Sequence, residues 1–181
     1  VTATAPAPLR FAADPPGDLQ FLVDFVNTRP IGQRPDCFHD AAIAEDYLHL
    51  CGLDVSVTSA SIGGIRQLRD AVADAIGSDP GDGEHAYDWR TINALAAKTP
   101  LIVRFETGPT ATLTGDDVVA HVLADIQRAI AAGKWSRLHL CANDVCRVAF
   151  YDTSRSRTQR WHSYETCGNR ANVAAHRARK S

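Results

Sequence analysis

Three thiols and one imidazole toward the C-terminal end carry the most specific chemistry in this sequence. Cys141 and Cys146 are separated by four residues, fifteen more lead to His162, and four further residues lead to Cys167. Two close pairs joined by a medium spacer form the pattern of a four-ligand tetrahedral zinc site. Thiolate and imidazole are soft to borderline donors, which suits zinc. With four protein ligands no position is left open for water or substrate, so the metal is expected to be structural. The competing reading is three buried cysteines beside a surface histidine. The polar, arginine-rich flanks are poor core material and disfavour it. His139 and His176 are alternative fourth ligands, ranked lower because neither makes a short pair with Cys167.

The same region carries the positive charge. Residues 134–181 hold ten Lys and Arg against three Asp and Glu, whereas residues 1–133 hold nine against 18, so +7 and −9 leave the net charge at −2. A basic module on an acidic body is expected to meet a polyanion. Arg155, Arg157 and Arg160 precede the second ligand pair. Arg170 and Arg177 are seven apart and share a helix face. Together the five are expected to form one surface addressing phosphates on either side of a groove. Interleaved Phe150, Tyr151, Trp161 and Tyr164 argue against a disordered basic tail.

The run Cys167-Gly168-Asn169-Arg170, preceded by Trp161-His162-Ser163, resembles the CGNR zinc finger. Phe150 and Asp152-Thr153-Ser154 fit the same pattern. The sequence departs from it at His162, where Cys is usual, at Tyr164 for Met, and at Asn172 for Lys. Imidazole also ligates zinc, and the third change removes one positive charge. Further up the chain, Val23-Asp24-Phe25-Val26-Asn27-Thr28 and Gln67-Leu68-Arg69-Asp70-Ala71 resemble motifs of the ABATE domain. The pairing implies a bacterial, stress-linked transcriptional regulator: DNA binding through the finger, a small-molecule effector sensed by the N-terminal domain, and a cytoplasmic location.

These residues need elements to hold them. Residues 1–17 have neither a basic start nor an apolar stretch and read as a flexible tail. Asp18 is placed to cap a first helix, on which Leu19, Leu22, Val23 and Val26 recur at helical spacing. Asp24 and Asn27 share a face of it, as structural anchors first and ligand contacts second. A second helix follows Asp40 and stops at Gly52, with Ile43, Tyr47 and Leu50 inward. A third follows Ser59 or Ser61 and ends at Gly77, with Ile62, Ile65, Leu68, Val72 and Ile76 inward. On it, Arg69 beside Asp70 and Asp74 reads as a solvated face. Residues 78–84 form a turn cluster, and a fourth helix carries Trp89, Ile92, Leu95 and Ala96. A hairpin turns at 107–110, and a last helix over about 116–132 points Val119, Val122, Leu123, Ile126 and Ile130 inward.

The predicted fold class is α+β: a mostly helical domain over 18–133 with a small hairpin, then a treble-clef-like zinc module over 134–181. In the module, residues 135–140 and 147–152 read as strands around a knuckle, 159–162 pair back, and a helix starts at Cys167. A module this small has too little core to fold without its metal. No apolar run of about 18 residues exists, so no membrane span is expected. Cys37 and Cys51 read as isolated, partly buried thiols in a reducing compartment. His39, His49, His85 and His121 lack ligand-like pairing, and no catalytic triad or phosphate loop is present, so no enzyme is expected. Two other readings are a protein-interaction module and an RNA binder using exposed aromatics.

Overall fold

Residues 17–26 are apolar around most of a helix circumference, and such a helix must be surrounded. A computed structural model, which describes residues 5–9, 14–78 and 87–180, places it at the centre. This helix, α1 (Gly17–Val26), buries Leu19, Leu22, Val23, Phe25 and Val26 completely. Pro16, not Asp18, occupies its N-cap; Asp18 lies in the first turn and pairs with Lys134 at 2.6 Å.

Helix α2 (Ala41–Leu50) is capped by Asp40, whose carboxylate accepts from the Ala42 and Ile43 amides. Gly52 ends it in the left-handed region, φ +81°, where only glycine is unstrained. Tyr47 enters the core, but Leu50 is 54% exposed, because no element covers its side of the last turn among the described residues. Helix α3 (Ile62–Gly77) buries all five expected apolar positions.

Arg69 corrects the expectation of a solvated face: it is 3% exposed. Asp36 arrives from the loop before α2 and takes two of its guanidinium nitrogens at 2.6 and 3.1 Å. The guanidinium also lies over Phe38, 5.8 Å from the ring centre. Burial pushes the Asp36 carboxyl up, but the Arg69 hydrogen bonds, the Phe38 amide and the charges of Arg69 and Arg66 together outweigh it and hold the group below its ordinary value. Cys37, next to Asp36, is fully buried and unpaired to any other thiol.

Helix α4 (Arg90–Ala96) precedes an antiparallel hairpin of β1 (Ile102–Phe105) and β2 (Ala111–Thr114), in register Ile102 to Thr114. Helix α5 (Val118–Ala131) is capped by Asp117 and packs on α1. Its buried face carries Val122, Leu123 and Ile126; Ile130 lies at the edge and is 49% exposed. After a 3-10 turn over Trp135–Arg137 come β3 (Leu138–Leu140) and β4 (Ala149–Tyr151), antiparallel with Leu138 opposite Tyr151. The expected first strand over 135–140 is thus half turn and half strand. The last helix is α6 (Asn169–Ala178).

Strand side chains alternate between faces, and β4 uses the alternation to serve two cores. Ala149 and Tyr151 pack with the helical body, as do Leu138 and Trp135. Val148 and Phe150 point the other way and form a small cluster with Cys141 and Cys167. Packing therefore runs without a break across residue 133. Residues 5–9, expected as tail, lie against the body: Ala5 is buried and Arg34 donates to the Ala7 carbonyl at 2.7 Å. The predicted turn cluster from 79 onward and His85 lie outside the described residues. Among the described residues, six α-helices and two short hairpins give the α+β class expected from the sequence. No helix among the described residues is long and apolar enough to cross a membrane.

Candidate metal centre

The first ligand pair is set by a tight turn. The Cys141 amide donates to the Val148 carbonyl at 2.8 Å, continuing the β3–β4 ladder by one step. Between them, the Asn143 side chain accepts from the Val145 amide, and the Asn143 carbonyl accepts from the Cys146 and Arg147 amides. Arg147 leaves the turn with φ 51°, a conformation that costs a non-glycine residue about 1 kcal/mol.

Asp152 sets the second half. It is fully buried, accepts from the Ser154 amide at 2.7 Å and the Gln159 amide at 3.0 Å, and so folds residues 152–159 back toward the site. Arg137 binds the carbonyls of Asp152 and Ser154 from behind. The return is completed by the Ala142 amide, which donates to the Arg160 carbonyl at 2.8 Å. Through that bond residues 159–162 pair back as expected, without strand geometry. The sequence reading quoted Asp152 only as part of a motif. Its spacing before Ser154 is a signal for a side-chain-closed turn.

A π-helical turn, Tyr164–Gly168, delivers Cys167 into α6, with the Ser163 hydroxyl accepting from the Thr166 amide. The Cys-Gly-Asn-Arg run has a role at each of its first three residues. Cys167 is a buried donor. Gly168 leaves room for the Tyr164 ring, since an added Cβ would meet it at 2.7 Å. The Asn169 side chain donates to the Glu165 carbonyl at 3.0 Å.

These elements bring one donor atom from each of Cys141, Cys146, His162 and Cys167 within 4.8 Å of one another. Cys146 Sγ and His162 Nδ1 are 3.4 Å apart. Zinc bonds of about 2.3 Å to sulfur and 2.0 Å to nitrogen put two tetrahedral donors at about 3.5 Å, so the spacing fits the metal. The hydrogen bond from Cys146, then those from His162 and from the backbone of Asn143 and His162, push the Cys141 thiol well below its ordinary value. Cys146 is pushed up because it is the donor in that pair, and further by burial. A preformed thiolate with backbone hydrogen bonds is a good metal ligand. His162 is thus the histidine of the cluster. His139 instead packs on Phe150, 4.0 Å from Asp152, and His176 is exposed on α6.

The arginines fall into separate groups. All five are exposed. Arg157 and Arg160 line a cleft between the module and the end of α3. Arg170 and Arg177 line a shallow groove on α6 together with Glu165. Arg155 lines neither. Asp24 and Asn27 are both buried. Asn27 bonds the backbone of Ala149, and Asp24 accepts from Gln20 at 3.1 Å.

Two family models match the chain: ABATE, described as "Putative stress-induced transcription regulator", over residues 19–146, and the CGNR zinc finger over residues 137–180. They overlap in the segment that holds β3 and the first ligand pair, where the two cores share a wall. No curated protein matches. With the CGNR match, the donor cluster makes zinc the cofactor, and Cys141, Cys146, His162 and Cys167 are the residues that would hold it.

Proposed function

The chain belongs to the ABATE family and ends in a CGNR zinc finger, and from this premise we propose that it regulates transcription by binding duplex DNA through the zinc module. The observation that carries the reading is the set of exposed arginines on a backbone fixed by the four donors and by Asp152. Arginines held on a rigid frame can meet phosphates without losing much freedom on binding. The metal is structural in this reading, and no turnover of substrate is involved. The helical body is the sensing part, responding to a small effector, and the protein acts in a bacterial cytoplasm.

The test is titration of zinc-loaded full chain with random duplex DNA at several salt concentrations. Binding that weakens steeply with salt supports the reading; no binding at about 50 mM salt overturns it. A second reading, protein recognition, draws on exposed apolar residues of the module: Val145 at 82%, Tyr164 at 61% and Val173 at 50%. RNA stacking has less support, because Phe150 is buried and Trp161 lies half-buried under Arg160.

A further inference from the structure

We infer that the cleft between the zinc module and the C-terminal end of α3 binds a small organic phosphate carrying an aromatic ring, with mononucleotides as the fitting class. This deepens the effector part of the proposed function, and depends on it only for the regulatory consequence.

The cleft encloses about 630 Å³, within the range of small-molecule sites. Its rim is cationic. Arg147, Arg157 and Arg160 line it, and among the described residues no acidic side chain does. Among the described residues none of the three has an ion-pair partner. Arg147 reaches across to α3, since a Cβ on Gly77 would lie 3.2 Å from its guanidinium nitrogen. Arg147 and Arg157 are also the two non-glycine residues with left-handed backbone among those described, φ 51° and 56°. Both positions belong to the lining of this one cleft.

Part of the lining is aromatic. Trp135 and Tyr87 meet edge to face with centres 6.4 Å apart, and both line the cleft. One guanidinium satisfies a carboxylate through two parallel bonds. Three arginines lining one cleft favour a group with more charge and more acceptor edges, which is a phosphate. Aromatic side chains lining the same cleft, at this volume, favour a ring attached to the phosphate over free phosphate.

The probes are adenosine 5′-monophosphate, adenosine and inorganic phosphate, titrated into zinc-loaded full chain by calorimetry. The monophosphate should saturate the protein and bind at least tenfold more tightly than either fragment. Arg157→Gly suits the left-handed backbone while removing the cation, and should weaken the monophosphate at least tenfold with zinc content unchanged. Arg104→Gln, an exposed change on β1, should leave binding as it was. No saturation by adenosine monophosphate up to about 5 mM, an affinity weaker than millimolar, overturns the site. So does equal affinity in Arg157→Gly. Duplex DNA titrated into the same samples separates the two readings. DNA binding without nucleotide binding removes the cleft site and assigns its arginines to DNA. Nucleotide binding without DNA binding supports the cleft while the DNA reading falls.

Discussion

The carboxamide of Asn27 holds the backbone of Ala149 at both groups, donating to its carbonyl at 2.9 Å and accepting from its amide at 2.8 Å. The Val148 carbonyl is used by Cys141 on the β3 side, so the Ala149 groups point to the other edge of β4. Asn27 stands there as a one-residue third strand. It fixes α1 to the wall between the helical core and the metal centre.

Asn27→Ala should therefore be costly. Both Ala149 groups would be buried without partners, and each such loss costs about 1–3 kcal/mol. A fall of about 3 kcal/mol in unfolding free energy, read from denaturant midpoints with zinc bound, is the expected result. A change under about 0.5 kcal/mol, as at an ordinary surface site, would show that the clamp contributes little.

Zinc removal should be felt beyond the module. Chelation frees Cys141, Cys146, His162 and Cys167, and the small cluster around Val148 and Phe150 has little else to hold it. Because β4 also lines the main core, the apo chain should melt at a lower temperature as a whole. Hydrogen exchange should quicken first over residues 141–147 and 153–168 and next at Ala149, whose amide Asn27 protects. An unchanged melting temperature for α1, α3 and α5 after chelation would make the two cores independent.

The metal centre was legible because its information is local. Donor identity and spacing survive without any knowledge of the fold, and so does Asp40 as a helix cap. What was not legible depends on partners distant in sequence. Arg69 has acidic neighbours on its own helix, and nothing local says that Asp36 will arrive from another loop. Asn27 finds its partner 122 residues away. Periodicity placed Leu50 and Ile130 on apolar faces, but only the neighbouring elements decide where coverage ends. The arginines were countable from the sequence, while their division between a cleft and a groove follows from the return of residues 152–159 on Asp152.

Gly168→Ala should weaken zinc binding through the Tyr164 ring. The new methyl would meet ring carbons at 2.7 and 3.1 Å, and displacing the ring breaks its bond to Asn172. Tyr164 is 61% exposed and can yield, so a cost of about 1–3 kcal/mol is expected. Tyr164→Ala in the same chain should restore most of it. Competition against a zinc chelator measures both. No rescue would place the damage in the backbone of the π-helical turn.

The Asp36–Arg69 pair sets an acid limb. The folded value of Asp36 lies below its unperturbed 3.8, so the stability it contributes is complete above the unfolded value. That contribution is lost as pH falls through the folded value. Asp36→Asn should lower stability at neutral pH and flatten its decline in acid, so that the two proteins converge at low pH. Arg69→Leu leaves the partly buried Asp36 carboxylate with the Phe38 amide but no guanidinium, and should lower stability at neutral pH by more than Asp36→Asn does. Parallel wild-type and Asp36→Asn curves would remove the pair from the acid response.

The DNA reading separates two arginines on α6. Arg170 begins the helix directly after the Asn169 contact to Glu165, whereas Arg177 lies two turns further on the same face. Both line the groove with Glu165, so each approaches a phosphate against one nearby carboxylate. Phosphate neutralisation releases counterions, and each contact adds a slope of about 0.9 to the log–log dependence on salt. With three to five contacts in all, affinity should fall by about one to three orders of magnitude between about 50 and 200 mM salt. Arg177→Ala should flatten the slope by close to one contact and leave zinc content unchanged. Arg170→Ala should do the same and also loosen the chelator-resistant zinc, because it adjoins the turn that presents Cys167. Arg155→Ala combined with Arg177→Ala removes one charge from each side of the module and should flatten the slope by two contacts. If the double variant binds DNA with wild-type affinity and slope, these arginines do not face DNA. The exposed Val145, Tyr164 and Val173 would then carry the case for a protein partner.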